Sequence, residues 1–160
     1  MPDEKKTHKK EVPMTSPTPA RNTMTAQKAV SSSQEDYLES ILYLLTKNNV
    51  VRVTDLALEM KLSKPSVHKA ISNLKAQGLV EQERYGSITL THNGECLARS
   101  VQMRHDIIKK FLTDVLDVPE DKADDEACNM EHNISIDTIV RLTNFVDEWE
   151  KQKIKPSEKT

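Results

Sequence analysis

Glycine is scarce, with three residues in 160 (Gly78, Gly86 and Gly94), so a glycine-rich nucleotide loop has nothing to be built from. The two cysteines, Cys96 and Cys128, are too few for a disulfide framework and read as free thiols or a metal ligand in a reducing compartment. Aromatics make up only 4% and hydrophobic residues 36%, too little to pack the whole chain into one core, so part of it is expected to be tail. No apolar run approaches membrane-spanning length and no secretory core is visible, which predicts a cytoplasmic protein with no membrane partner. The net charge of −2 favours no polyanion; what matters is where the charges lie.

Residues 1–31 hold four of the seven prolines together with Lys5, Lys6, Lys9 and Lys10, and are expected to be a disordered tail. Ser33 is placed to cap a helix whose first turn carries Gln34, Glu35 and Asp36 and whose apolar face runs through Tyr37, Leu38, Ile41, Leu42 and Leu45. A β-branched stretch at Val51–Val53 precedes a short helix capped by Thr54. Ser63 caps the next helix, with Pro65 in its first turn and Gly78 closing it. Strands over Leu79–Leu90 flank Tyr85-Gly86-Ser87 as a hairpin. Asn93-Gly94 marks the exit, and helices are expected near 95–116, 120–132 and from Ser135 onward, with a frayed end at 153–160. The fold class is mainly α with a small β-hairpin wing: a winged helix-turn-helix domain over 32–99 and a helical dimerisation and metal-binding domain over 100–152.

Two short helices, a tight turn and a hairpin make a DNA-reading unit. Between Met60 and Val80 there are four lysines and no acidic residue, a basic stretch suited to phosphates. The start of the recognition helix offers Ser63, Lys64, Ser66, His68 and Lys69, and Arg84 on the wing reaches towards a neighbouring phosphate. Farther along, Cys128, Glu131 and His132 stand at i, i+3 and i+4, so a thiol, a carboxylate and an imidazole share one helical face. Nine acidic residues and one lysine lie between Asp114 and Asp137, and Asp36 and Glu39 make a further i, i+3 carboxylate pair. The bland alternative to each motif is a solvated helix face. No His-Glu-x-x-His, phosphate loop or nucleophile motif appears, so the chain does not read as an enzyme.

Four segments together resemble the diphtheria-toxin-repressor-like metalloregulators, which include the manganese transport regulators. They are Glu35-Asp36-Tyr37-Leu38-Glu39-Ser40-Ile41, Ser63-Lys64-Pro65-Ser66-Val67, Met103-Arg104-His105 and Asp125-Glu126-Ala127-Cys128-Asn129-Met130-Glu131-His132. The resemblance covers about residues 33–150 and implies a homodimer that binds a palindromic double-stranded DNA operator with a metal ion as corepressor. It also implies that Asp36, Glu39, His105, Cys128, Glu131 and His132 hold the metal. The chain departs from both branches of the family. Cys128 stands where the manganese branch has a carboxylate, and Asp36 where the iron branch has a methionine. Lys109 stands one turn after His105, where an acidic residue would complete an ancillary site. Oxygen donors favour Mn(II) and a thiolate shifts preference towards Fe(II), Co(II) or Zn(II). The expectation is a manganese-responsive repressor of metal-uptake genes, with an Fe(II)-responsive repressor or a metal-independent winged-helix regulator as alternatives.

Overall fold

The computed structural model describes residues 30–83 and 86–154. Helix α1 (Ser32–Lys47) starts at Ser31 rather than at the expected Ser33, because Gln34 lies three residues after Ser31 and completes a reciprocal cap. Gln34 N–H donates to Ser31 Oγ at 3.4 Å, and Ser31 N–H donates to Gln34 Oε1 at 3.1 Å. Leu38 and Ile41 are fully buried one turn apart, each worth about 1.5–3 kcal/mol relative to exposure.

Val51 makes an isolated antiparallel bridge to Ile88, so the β-branched stretch serves the wing before the chain turns into α2 (Val53–Glu59). Thr54 does not cap α2. The Asp55 carboxylate closes the helix start by accepting from Arg52 N–H at 2.8 Å, which leaves Thr54 inside the first turn. A tight turn with Lys61 in the left-handed region leads to α3 (Lys64–Ala76). Ser63 caps α3, Pro65 sits in its first turn, and Gly78 follows its end at φ 70°.

Strands β1 (Val80–Gln82) and β2 (Ile88–Leu90) pair antiparallel, with Val80 opposite Leu90 and Gln82 opposite Ile88. The long helix α4 (His92–Asp114) begins three residues before the expected start, capped by Thr91, whose Oγ1 accepts from Gly94 N–H at 3.1 Å. Gly94 is therefore helical rather than a strand exit. A Cβ there would lie 1.9 Å from Leu79 O, so the close approach of α4 to the α3–β1 connection requires glycine. After α5 (Glu120–Glu131), Ser135 Oγ accepts from Thr138 N–H at 3.2 Å at the start of α6 (Ile136–Ile154), which extends into the stretch expected to fray. Of the expected tail, all but Val30 and Ser31 lies outside the described residues, as do residues 155–160.

Two apolar clusters form. The larger joins α1, α2, α3 and the hairpin to the first turns of α4. The smaller gathers Ile108, Leu112, Ala123, Ala127 and Ile139 from α4, α5 and α6. Helix α4 packs against α1, α5 and α6 and so spans both clusters. Among the described residues, no helix is long and apolar enough to cross a membrane.

Candidate functional site

The seam where α1, α4 and α5 meet is polar. Helical spacing puts Cys128 and Glu131 on the face of α5 that looks at α4, and His132 follows as the helix cap with helical dihedrals. His105 projects from the middle of α4, and Asp36 and Glu39 from the first half of α1.

Glu131 is at the centre, 1% exposed. Its Oε2 lies 2.9 Å from His105 Nδ1 and its Oε1 3.3 Å from His132 Nε2. Cys128 Sγ is 3.7 Å from the same His105 nitrogen. Ligating atoms of His105, Cys128 and Glu131 all lie within 4.8 Å of one another. His132 Nε2 is also 2.7 Å from Asp36 Oδ1, which carries the cluster onto α1.

The electrostatics are those of crowded anions. Burial first, then the Glu39 charge, pushes the Glu131 carboxyl up to about 7. Desolvation, then Glu131 and Glu39, pushes the Cys128 thiol up to about 11. Burial raises Glu39 as well, while His105 and His132 draw it back, so Glu39 lies within charge range of both imidazoles. Burial is the largest single influence on His132 and lowers it, but the hydrogen bond to Glu35 and the charges of Asp36, Glu131 and Glu35 together hold it above its ordinary value. Sulfur, imidazole and carboxylate donors converging on a buried anion make a donor set that suits a transition-metal cation, which would offset the charge crowding.

Glu35, Arg104 and Asp124, which the sequence reading did not offer as site residues, adjoin the cluster. Glu35 Oε2 accepts from Arg104 at 2.8 Å and stands 2.7 Å from His132 Nδ1. Asp124 Oδ1 stands 3.2 Å from His105 Nε2 and accepts from Lys109 Nζ at 2.7 Å, while Glu120 lies 3.6 Å from the same ammonium. Asp124 precedes Cys128 by four residues, so the helical spacing that joins Cys128, Glu131 and His132 on one face of α5 also reaches it. Glu35 likewise precedes Glu39 by four residues, whereas Arg104 is the immediate neighbour of His105, and adjacent helical positions point about 100° apart, so spacing gave no signal for Arg104.

At the start of α3, Ser63, Lys64, Ser66, His68 and Lys69 are exposed, while Val67, Ile71 and Leu74 of the same stretch are buried. Ser63 Oγ is engaged as the helix cap, accepting from Ser66 N–H at 3.3 Å. Lys75 donates to Gln82 O at 2.8 Å and ties α3 to the wing. Arg84 lies outside the described residues.

A winged helix-turn-helix joined through α4 to a helical unit, with a mixed-donor cluster at the junction, defines a metal-linked DNA-binding architecture. The family described as "Iron dependent repressor, N-terminal DNA binding domain" matches residues 29–88. Its counterpart "Iron dependent repressor, metal binding and dimerisation domain" matches residues 91–156. The chain belongs to this family of metal-dependent transcriptional repressors.

An HTH-type transcriptional regulator of Methanocaldococcus jannaschii is 35% identical over 126 residues, covering 78% of this chain and 100% of the relative. The HTH-type transcriptional regulator MntR of Lysinibacillus sphaericus is 30% identical over 74% of this chain and 85% of its own length. Among solved structures, a manganese-dependent transcriptional repressor in complex with manganese superposes with a TM-score of 0.66 at 29% identity, covering 71% of this chain and 52% of that one. The manganese regulator SloR superposes with a TM-score of 0.64 at 28% identity, covering 75% and 55%. The chain thus spans about half the length of these solved proteins.

Proposed function

We propose that the chain is a manganese-responsive repressor of metal-uptake genes that binds a palindromic operator as a homodimer. The observation that carries this reading is the placement of Glu131 between His105 and His132, with Asp36 of α1 on the same His132 nitrogen. Asp36, Glu39, His105, Cys128, Glu131 and His132 would hold the ion. A divalent cation there supplies the positive charge that offsets repulsion among Asp36, Glu39 and Glu131. Asp36 and Glu39 belong to the helix that cores the winged unit, 32–99, whereas Cys128, Glu131 and His132 belong to the helical unit, 100–152. Drawing these groups together orders one unit against the other. Without that charge, carboxylate repulsion favours a looser ensemble in which ordering must be supplied at DNA binding.

Ser63, Lys64, Ser66, His68 and Lys69 are the residues proposed to meet the major groove, with Arg84 on the wing. The second apolar cluster has few members, and α6 leaves Ile136, Val140, Phe145 and Trp149 exposed, which supports burial against a second copy. Phe145 packs edge-on to Phe111 and stacks on Trp149, so one part of this surface is already an ordered aromatic group. The solved structures described as manganese regulators support Mn(II). The Cys128 thiol favours a second reading, an Fe(II)-responsive repressor.

Operator affinity measured at fixed salt with Mn(II), anaerobic Fe(II), Zn(II) or chelator tests the proposal. Tight binding with Mn(II) alone is the expected result. Preference for Fe(II) would transfer the assignment to iron, and equal binding in chelator would end the corepressor reading.

A further inference from the structure

Each histidine of the cluster is gripped on its outer nitrogen by a carboxylate that is itself paired with a cation. His132 turns Nε2 towards Asp36 and Glu131 and Nδ1 towards Glu35, which accepts from Arg104. His105 turns Nδ1 towards Glu131 and Cys128 and Nε2 towards Asp124, which accepts from Lys109. The two arrangements meet at Glu131, but their outer carboxylate–cation pairs share no residue and grip opposite ring nitrogens. The carboxylates come from different helices, Glu35 from α1 and Asp124 from α5, while both cations, Arg104 and Lys109, come from α4.

We propose that Glu35–Arg104 and Asp124–Lys109 are positioning pairs that fix the ligating nitrogen of each histidine, Nε2 on His132 and Nδ1 on His105, and keep their own carboxylates out of the metal's coordination. The inference rests on the metal reading above and deepens it. An imidazole offers a metal one nitrogen only while the other keeps its proton, and a carboxylate accepting that proton sets both tautomer and ring orientation. A free carboxylate so close to the cluster would compete for the cation. Arg104 and Lys109 engage these two, which leaves Glu131, Asp36 and Glu39 as the oxygen donors.

The cation choice follows the burial. Arg104 is 8% exposed and holds one fixed bond to Glu35, even though its Nε is buried without a partner. A guanidinium keeps its charge in such a place, whereas a lysine would lose its proton readily. Lys109 works at the rim, where Asp124 is half exposed and a mobile ammonium suffices. Lys109 also puts a tethered positive charge beside Asp124 and Glu120, the direction from which a further cation would approach His105 Nε2.

The test uses the full chain. In the Zn(II)-loaded protein, imidazole 15N resonances are expected to show His105 protonated at Nε2 and His132 protonated at Nδ1. The opposite tautomer on either ring overturns the assignment for that pair. In competition titrations with Zn(II) and Co(II), Asp124→Ala should bind about 10–100-fold more weakly at unchanged stoichiometry, and Asp124→Asn, which still accepts a hydrogen bond, should fall between it and wild type. Asp124 is exposed enough that neither variant threatens folding. Loss of one ion per chain in Asp124→Ala would make Asp124 a ligand and overturn the proposal. So would wild-type affinity. A wild type that takes up no ion overturns the metal reading and this inference together, whereas a normally loading wild type with an unaffected Asp124→Ala overturns this inference alone.

Discussion

Glu131 presents Oε2 to His105 Nδ1 at 2.9 Å while only 1% of its surface meets solvent. A carboxylate this buried is costly to charge, and its value raised to about 7 records that cost. The sign follows: the folded state favours the protonated acid, so the charge opposes folding increasingly as pH rises from the ordinary carboxylate range through about 7. Glu131→Gln removes the charge and keeps the shape. Above neutral pH the metal-free variant should melt at or above the wild-type temperature, yet gain nothing from added Mn(II), which should stabilise the wild type by mass action. Equal metal-induced shifts in both proteins would remove Glu131 from the ligand set.

Under the proposed ligand set, Cys128 makes the ion preference adjustable. Cobalt-loaded wild type should show thiolate-to-cobalt charge-transfer absorption, and Cys128→Ser should abolish it. Cys128→Glu, an oxygen-only change, should raise Mn(II) affinity relative to Zn(II). A band that persists in Cys128→Ser would point to a different sulfur.

On the DNA side, Lys64 and Lys69 are exposed on α3 without an acidic neighbour in the helix. Replacing either by alanine should weaken binding across operator sequences and lower the salt slope by about 1 each, as loss of a phosphate contact does. Filter binding or anisotropy at several salt concentrations measures this. A slope unchanged by both substitutions would mean that the face does not meet phosphates.

Gly94→Ala should destabilise the winged unit, because the new methyl would meet Leu79 O at 1.9 Å and the backbone must move. Overpacking of this kind costs about 1–3 kcal/mol, readable by urea denaturation. Gly78→Ala meets open space and carries only the left-handed backbone penalty of about 1–2 kcal/mol. Wild-type stability for Gly94→Ala would show that α4 and Leu79 are less closely seated than described.

Periodicity made the element order readable from sequence. The i, i+3, i+4 set on α5 and the capped, proline-bearing start of α3 both follow from local spacing, and local spacing survives folding. Caps were less legible: Ser31, Ser32 and Ser33 are chemically equivalent, and only Gln34, three residues after the first, selects among them. Gly94 looked like punctuation because glycine favours turns, whereas its place in α4 is set by Leu79, a contact made in space. The pairing of Glu35 with Arg104 and His132 was hidden for the same reason. Glu35 reaches Arg104 and His132 across 69 and 97 residues, separations that no helical pattern encodes. The six residues carried over from the family resemblance adjoin one seam, and their role in holding a metal awaits the titrations above.

Thr91 joins two ends of the molecule. Its hydroxyl donates to Gly78 O at 2.7 Å while capping α4, so the helix that carries His105 starts where the chain leaves α3. From His92 to His105 the helix makes roughly 20 Å of continuous rod at 1.5 Å per residue. Such a rod works as a lever: a tilt of about 3° at one end displaces the other by about 1 Å over that length. A tilt of that size about His105 would move the start of α4, beside the end of α3, by about a third of a hydrogen-bond length.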